Sequence, residues 1–193
     1  MTTMSALFSD VDGTLLTGDY ALPQTIVEAF ALLRRKSIRP VVATARSPKG
    51  VAAVCSALSV EYAVCFNGGW VGRPLHGETL ASQTIPRQIA LMAMSEARRL
   101  GLSAMWYTAD GIFTDRKTPL SEREAIITGE SIHQASVQGD LPEEPFKIMC
   151  VKDGADETGF DVTDRLLPRR FRFEAGDQLL VVDKAVEEVV PFV

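Results

Sequence analysis

Three short apolar runs alternate with two amphipathic segments in the N-terminal third of the chain, and this alternation limits the fold more than any other feature. The runs are too short for helices and are predicted as buried strands. They span Ser5–Ser9, Arg39–Thr44 and Tyr62–Phe66, and the segments between them, Pro23–Lys36 and Pro48–Leu58, carry apolar residues at helical spacing. Strands joined through helices by short links form a parallel sheet with right-handed crossovers. The sequence therefore predicts an α/β fold.

Polar or turn-forming residues lie at the C-terminal end of each of the three predicted strands. In chain order they are Asp10 and Asp12, then Thr44 and Arg46, then Asn67 with Gly68. Open α/β sheets bind their ligands outside the carboxyl ends of the strands. We therefore expect these residues to face one crevice.

The pattern changes after Gly72 and predicts a separate α+β module from about Arg73 to Asp183. The predicted elements are a helix over Pro86–Leu100, a hairpin over Ser103–Asp115, a short helix or loop over Glu122–Gly129, a strand over Phe146–Val151, a helix over Asp156–Leu167 and a hairpin around Gly176 and Asp177. Two hairpins accompanied by helices are typical of an α+β arrangement.

Composition and charge exclude some classes of protein. The 193 residues carry a net charge of −5, which argues against a general nucleic-acid binder. The three cysteines show no metal-ligand spacing and are interpreted as buried thiols in a reducing cytoplasm. The N-terminus lacks the pattern of a signal peptide, and no apolar run is long enough to span a membrane. We therefore expect a cytoplasmic protein that binds neither nucleic acid nor membrane.

The stretch LFSDVDGTLL, Leu7–Leu16, has the residue types that phosphoryl transfer requires. A carboxylate at a strand end can bind Mg²⁺ or attack phosphorus, and a second carboxylate nearby can donate and accept the proton. Gly13 allows a tight turn whose amide can approach a phosphate. The alternative interpretation of Asp10 and Asp12 is an ordinary cap between strand and turn.

Three motifs together resemble the haloacid dehalogenase superfamily of phosphatases. DVDGTLL resembles its first motif, VVATARS, Val41–Ser47, resembles its second, and FNGG after the third strand resembles the Cof-type subgroup (class IIB), in which an α/β cap is inserted at that point. The resemblance implies a parallel-sheet core over residues 1–72, an α+β cap over 73–183 and a segment returning to the core over 184–193.

The resemblance also implies roles for the matching residues. Asp10 would be the nucleophile and a Mg²⁺ ligand, and Asp12 the general acid and base, with its main-chain carbonyl also on the metal. Thr44 would hydrogen-bond the phosphoryl oxygens. The other residues implied to lie near the substrate are Gly13, Arg46, Asn67 and Gly68. A surface charge at Arg46 and a plain turn at Asn67–Gly68 are the alternatives.

The C-terminal sequence departs from the family pattern. Where the family supplies a phosphate-binding lysine, this sequence has Glu187 and Glu188; Lys184 comes too early, and Gly176–Asp177 has no acidic partner at useful spacing. We therefore expect a truncated or frame-shifted chain whose incomplete core leaves the first strand as an exposed apolar edge. Such an edge recruits partners, so a homodimer is expected to cover it.

Three functional hypotheses remain open from the sequence. The first is a Mg²⁺-dependent phosphatase-type hydrolase that acts on a small phosphorylated metabolite, such as a sugar phosphate, through an aspartyl phosphate. The second is an inactive remnant that binds phosphate or a partner protein. The third is a phosphomutase of the same superfamily.

Overall fold

The computed structural model describes residues 5–136, 141–152 and 179–182, and the chain divides into two compact units, Met1–Ser82 and Gln83–Val193. The predicted boundary after residue 72 lies inside the first sheet, because two strands that the sequence pattern did not predict extend this sheet to Ser82. The predicted helix over 156–167, the segment 184–193 and the first strand of the second predicted hairpin lie outside the described residues.

The first unit contains a five-stranded sheet and two helices. Its elements are β1 (Ala6–Ser9), α1 (Gln24–Arg35), β2 (Arg39–Ala43), α2 (Pro48–Leu58), β3 (Tyr62–Cys65), β4 (Trp70–Arg73) and β5 (Glu78–Ser82). The strands lie in the order β1-β2-β3-β4-β5, with β1, β2 and β3 parallel and the β4–β5 hairpin antiparallel to its neighbours. The predicted strand–helix alternation and parallel sheet are confirmed.

Local sequence explains where both helices begin and where the first of them ends. Pro23 precedes α1 with φ −65°, and Arg34 and Arg35 occupy its last turn, near the negative end of the helix dipole. The Ser47 side chain caps α2 by accepting a hydrogen bond from the Gly50 amide, and Pro48 occupies the first helical position. Both helix starts agree with the sequence-based prediction.

In its described residues, the second unit is built on another five-stranded sheet. Its elements are α3 (Arg87–Arg99), β6 (Leu102–Tyr107), β7 (Ile112–Thr114), α4 (Pro119–Thr128), β8 (Ile132–Gln134), β9 (Lys147–Lys152) and β10 (Leu179–Val182), and its strand order is β10-β9-β6-β7-β8. The predicted hairpin over Ser103–Asp115 is confirmed as β6 and β7. The short strand β8, parallel to β7, was not predicted.

The core of the second unit forms where α3 covers one face of its sheet. Ala90, Ala93 and Ala97 of the helix belong to the same buried cluster as Trp106 and Ile148. Trp106 is fully buried, and its indole N–H donates to the Glu143 carbonyl at 3.1 Å. The tryptophan therefore acts in packing.

The cysteines and the first strand also bear on the sequence-based expectations. Cys55, Cys65 and Cys150 are buried and form no disulfide, and burial raises the pKa of Cys55 to about 11 and that of Cys150 to about 12. Within the described residues β1 pairs with β2 and forms an edge of its sheet, and Phe8 is 64% exposed.

None of the helices in the described ranges is long and apolar enough to cross a membrane.

Candidate functional site

The chain makes a tight turn directly after β1, and this turn separates apolar from acidic side chains. The Leu15 and Leu16 amides both donate to the Val11 carbonyl at 2.9 Å, and all three side chains are buried. Asp10 and Asp12 are exposed. The apolar positions of the motif thus anchor the turn in the core, and both carboxylates are left at the surface.

Gly13 allows this turn to be so tight. Its φ is +72°, in the left-handed region where a side chain is unfavourable. No atom would come within 4 Å of a Cβ at this position. The glycine is therefore explained by backbone conformation and not by crowding.

Asp12 forms a two-pronged ion pair with Arg46. Arg46 Nη2 donates to Asp12 Oδ1 at 2.6 Å, and Arg46 Nε donates to Oδ2 at 2.9 Å. The aspartate side chain is 43% exposed and that of the arginine 9%. A buried guanidinium therefore holds a solvent-facing carboxylate. The alternative interpretation of Arg46 as a surface charge is wrong.

The backbone around Thr44 joins the ends of β2 and β3. The Thr44 amide donates to the Val64 carbonyl, and the Thr44 carbonyl accepts from the Asn67 amide at 3.1 Å. The Arg46 amide donates to Thr44 Oγ1 at 3.1 Å, and the Arg46 carbonyl accepts from the Phe66 amide. These bonds place the second and third predicted clusters of polar residues side by side.

Asn67 and Gly68 lie in a tight turn at the end of β3. Both are exposed, with φ of +54° and +105°. Asparagine and glycine are the residues that tolerate this region best. The turn supports the structural interpretation of this pair, and a contact of either residue with a substrate stays a prediction.

Two residues at the site were missed by sequence reasoning. The Arg46 guanidinium lies 5.9 Å from the centre of the Tyr20 ring, and its Nη1 donates to the Gly50 carbonyl at 3.3 Å. Tyr20 lies in the loop before α1, and Gly50 in the first turn of α2. Neither belongs to a motif, so no signal in the sequence marks them.

The turn after β1 supplies oxygen donors that could hold a magnesium ion. Magnesium in proteins is held by one or two carboxylates together with substrate phosphate and water. The Asp10 carboxylate and the Asp12 main-chain carbonyl are of the right kind, whereas both Asp12 carboxylate oxygens accept bonds from Arg46. No group of three or more His, Cys, Asp and Glu side chains that could bind a metal occurs within residues 5–136, 141–152 and 179–182. The donor set fits magnesium in chemistry and would supply part of its coordination.

Solved structures similar to this chain share its fold. A haloacid dehalogenase-like hydrolase from Bacteroides thetaiotaomicron superimposes with a TM-score of 0.69 at 20% identity, over 78% of this chain and 59% of the other. A sugar phosphatase of haloacid dehalogenase subclass IIB superimposes with a TM-score of 0.66 at 17% identity, over 77% of this chain and 58% of the other. At such identities the likeness is one of fold.

Curated relatives and a family model also match the sequence. The HMP-PP phosphatase of Shigella flexneri serotype 5b is 31% identical over 121 residues, which are 62% of this chain and 44% of the relative. The chain spans about half the length of the curated relatives it matches. The model of haloacid dehalogenase-like hydrolases matches residues 7–174. The chain therefore belongs to the haloacid dehalogenase-like hydrolase family.

Proposed function

We propose that this chain forms the catalytic face of a magnesium-dependent phosphatase of the Cof-type subgroup. The proposed substrate is a small phosphorylated metabolite, such as a sugar phosphate. The observation that carries the proposal is the turn after β1, which exposes Asp10 and Asp12 while Val11 and Leu15 are buried. Relatives named as HMP-PP phosphatases and a structural neighbour named as a sugar phosphatase support this class of substrate.

The proposed reaction proceeds in two displacements at phosphorus. In the first, a carboxylate oxygen of Asp10 forms a bond to phosphorus while the ester P–O bond breaks, and the Asp12 carboxyl group gives its proton to the leaving oxygen. In the second, water attacks the aspartyl phosphate and gives a proton to Asp12. The bond between phosphorus and Asp10 then breaks, which releases inorganic phosphate and restores both side chains.

Other residues at the strand ends bind and orient in this proposal. The Thr44 hydroxyl, whose oxygen accepts from the Arg46 amide, keeps its own O–H to donate to a phosphoryl oxygen. Gly13 contributes an amide at the open side of the turn, and Asn67 and Gly68 line the neighbouring strand end. Mg²⁺ held by Asp10 and the Asp12 carbonyl would neutralise charge on the phosphoryl oxygens.

Phosphate release from p-nitrophenyl phosphate and from a hexose phosphate, with and without Mg²⁺, tests the proposal. Asp10→Asn should lower the rate by a factor on the order of 10³ or more, because the amide is a poor nucleophile. Asp19→Asn is the matched control, since Asp19 is an exposed aspartate in the following loop. Equal rates in wild type and Asp10→Asn would reject Asp10 as the nucleophile.

The intermediate can be tested separately. Acid-quenched enzyme should carry one phosphoryl group on the peptide that contains Asp10, detected by mass spectrometry and lost after treatment with hydroxylamine. Phosphate release without such a group would exclude the two-step route. No turnover by wild type with either substrate would instead favour the non-catalytic hypothesis.

A further inference from the structure

We propose that Arg46 is a positioning residue that fixes the orientation of the Asp12 carboxylate, and that it does not bind the substrate. The inference rests on the proposed function, because it gives Asp12 the task of proton transfer. It differs from the sequence-based expectation that Arg46 lies against the substrate. It depends on the contacts of the guanidinium within the protein.

The ion pair fixes the plane of the carboxylate. A guanidinium is planar, and two parallel N–H···O bonds from Nε and Nη2 hold both oxygens of Asp12 in that plane. A carboxylate has about four lone-pair positions, and the fork uses one on each oxygen. Each oxygen keeps another lone pair, through which Asp12 can hold or accept a proton.

Arg46 is itself held from several directions. Its Nη1 donates to the Gly50 carbonyl at 3.3 Å, so each of its guanidinium nitrogens donates within the protein. Its guanidinium carbon lies 5.9 Å from the centre of the Tyr20 ring, a cation–π distance. Its backbone is hydrogen-bonded to Thr44 and Phe66 at the strand ends. A side chain held in this way is suited to orient a neighbour and poorly suited to swing toward a ligand.

The pair also joins two separate pieces of the site. Asp12 and Arg46 are 34 positions apart and belong to the turns after β1 and β2. A carboxylate on a glycine-containing turn can rotate about its side-chain bonds unless something restrains it. Proton transfer requires the oxygen within hydrogen-bond reach of the leaving group, so this restraint affects the rate.

The second unit offers a matched control. Arg99 makes the same two-pronged contact with Glu96, through Nε at 2.8 Å and Nη2 at 2.6 Å. That pair lies on α3, and the Arg99 side chain is 58% exposed. Exposed pairs of this kind contribute little to stability. Arg99→Met therefore removes an equivalent contact within the second unit.

The experiment compares two leaving groups in wild type, Arg46→Met, Arg46→Lys and Arg99→Met. Nitrophenolate leaves without a proton, whereas an alkyl oxygen requires one. Arg46→Met should therefore lower kcat/KM about a hundredfold for a hexose phosphate and less than about tenfold for p-nitrophenyl phosphate, with KM little changed. Arg46→Lys keeps the charge without the fork and should resemble Arg46→Met. Arg99→Met should match wild type.

Several results would overturn the inference. A higher KM with unchanged kcat would make Arg46 a substrate contact. An equal loss for both substrates, with a lower Tm, would give it a structural role. Full activity in Arg46→Lys would show that charge suffices without the planar fork.

A measurement that needs no turnover separates this inference from the proposed function. Thermal unfolding of Asp12→Asn, Arg46→Met and the double variant forms a cycle that detects the coupling of the two side chains. We expect the double variant to lose less stability than the sum of the losses in the two single variants. If the losses are additive, the two side chains are not coupled and the inference is overturned. Coupling without any turnover by wild type would keep the ion pair but reject the proposed function, and with it the positioning role of Arg46 in proton transfer.

Discussion

At the scale of single residues, the site combines two exposed carboxylates, Asp10 and Asp12, with a buried arginine that holds one of them, Asp12. Asp12 faces solvent, whereas Arg46 and Thr44 are buried and bound to the backbone of neighbouring strand ends. A buried guanidinium is costly unless its donors are satisfied, and Asp12 and Gly50 satisfy them. The geometry of the site thus depends on side chains that solvent hardly reaches.

Gly72 gives a prediction at this scale, because a side chain has no room there. A Cβ would lie 2.1 Å from the Glu78 carbonyl oxygen and 2.7 Å from the Trp70 ring. Gly72→Ala should therefore lower the free energy of unfolding by about 1–3 kcal/mol, measured by urea denaturation. Gly18→Ala is the control, since no atom lies within 4 Å of its Cβ position and its φ is not positive. Equal stability of the two variants would contradict the packing of β4 against β5.

At the scale of elements, backbone hydrogen bonds join the residues that follow β2 to those that follow β3. The helix α2 starts directly beside these bonds. Ser47 caps this helix through a 2.9 Å bond from the Gly50 amide, and the Gly50 carbonyl accepts from Arg46. The start of α2 and the guanidinium therefore share one residue as a partner. The helix cap contributes to the support of Arg46 as well as to helix stability.

Ser47→Ala tests the cap. The loss of the side-chain acceptor should lower the free energy of unfolding by about 1 kcal/mol, measured by chemical denaturation. Ser56→Ala is the matched control, because Ser56 is exposed within the same helix and alanine favours helix there. If Ser56→Ala lost as much stability as Ser47→Ala, the cap would contribute nothing specific.

At the scale of the whole molecule, the chain builds two units around separate sheets. Residues up to Ser82 form the sheet that carries the candidate site, and the second unit has its own core around α3 and Trp106. Every residue of the candidate site lies in the first unit. Its described sheet ends at β1, where Phe8 is 64% exposed.

The homodimer expected from the sequence stays a prediction, and Phe8 allows a test. If copies of the chain associate through the β1 edge, sedimentation velocity should show a dimer whose fraction rises with concentration. Phe8→Lys should shift that equilibrium toward monomer, because charge opposes edge-to-edge pairing. Leu32→Lys, an exposed apolar position on α1, is the control and should leave it unchanged. A wild-type monomer at all concentrations would contradict the expectation.

Sequence alone predicted the elements whose signals are local. The apolar runs and the helical spacing placed β1 to β3 and both helices of the first unit, because strand and helix periods are visible within a few residues. The DVDGT motif likewise indicated an acidic turn after a strand. It follows from the same logic that β5 was missed, since its residues are all exposed and show no alternation.

Only the tertiary structure decided which of these pieces touch. The pairing of Asp12 with Arg46, the Tyr20 ring near the guanidinium, the central place of β9 between β6 and β10 and the parallel neighbour β8 all join residues far apart in the chain. Each contact depends on the order of the strands and on which acceptors lie near the buried donors. Many arrangements of the same elements would satisfy the same local rules. The positions of the two carboxylates were therefore determined locally, whereas the arginine that holds Asp12 was selected by the packing of the first unit.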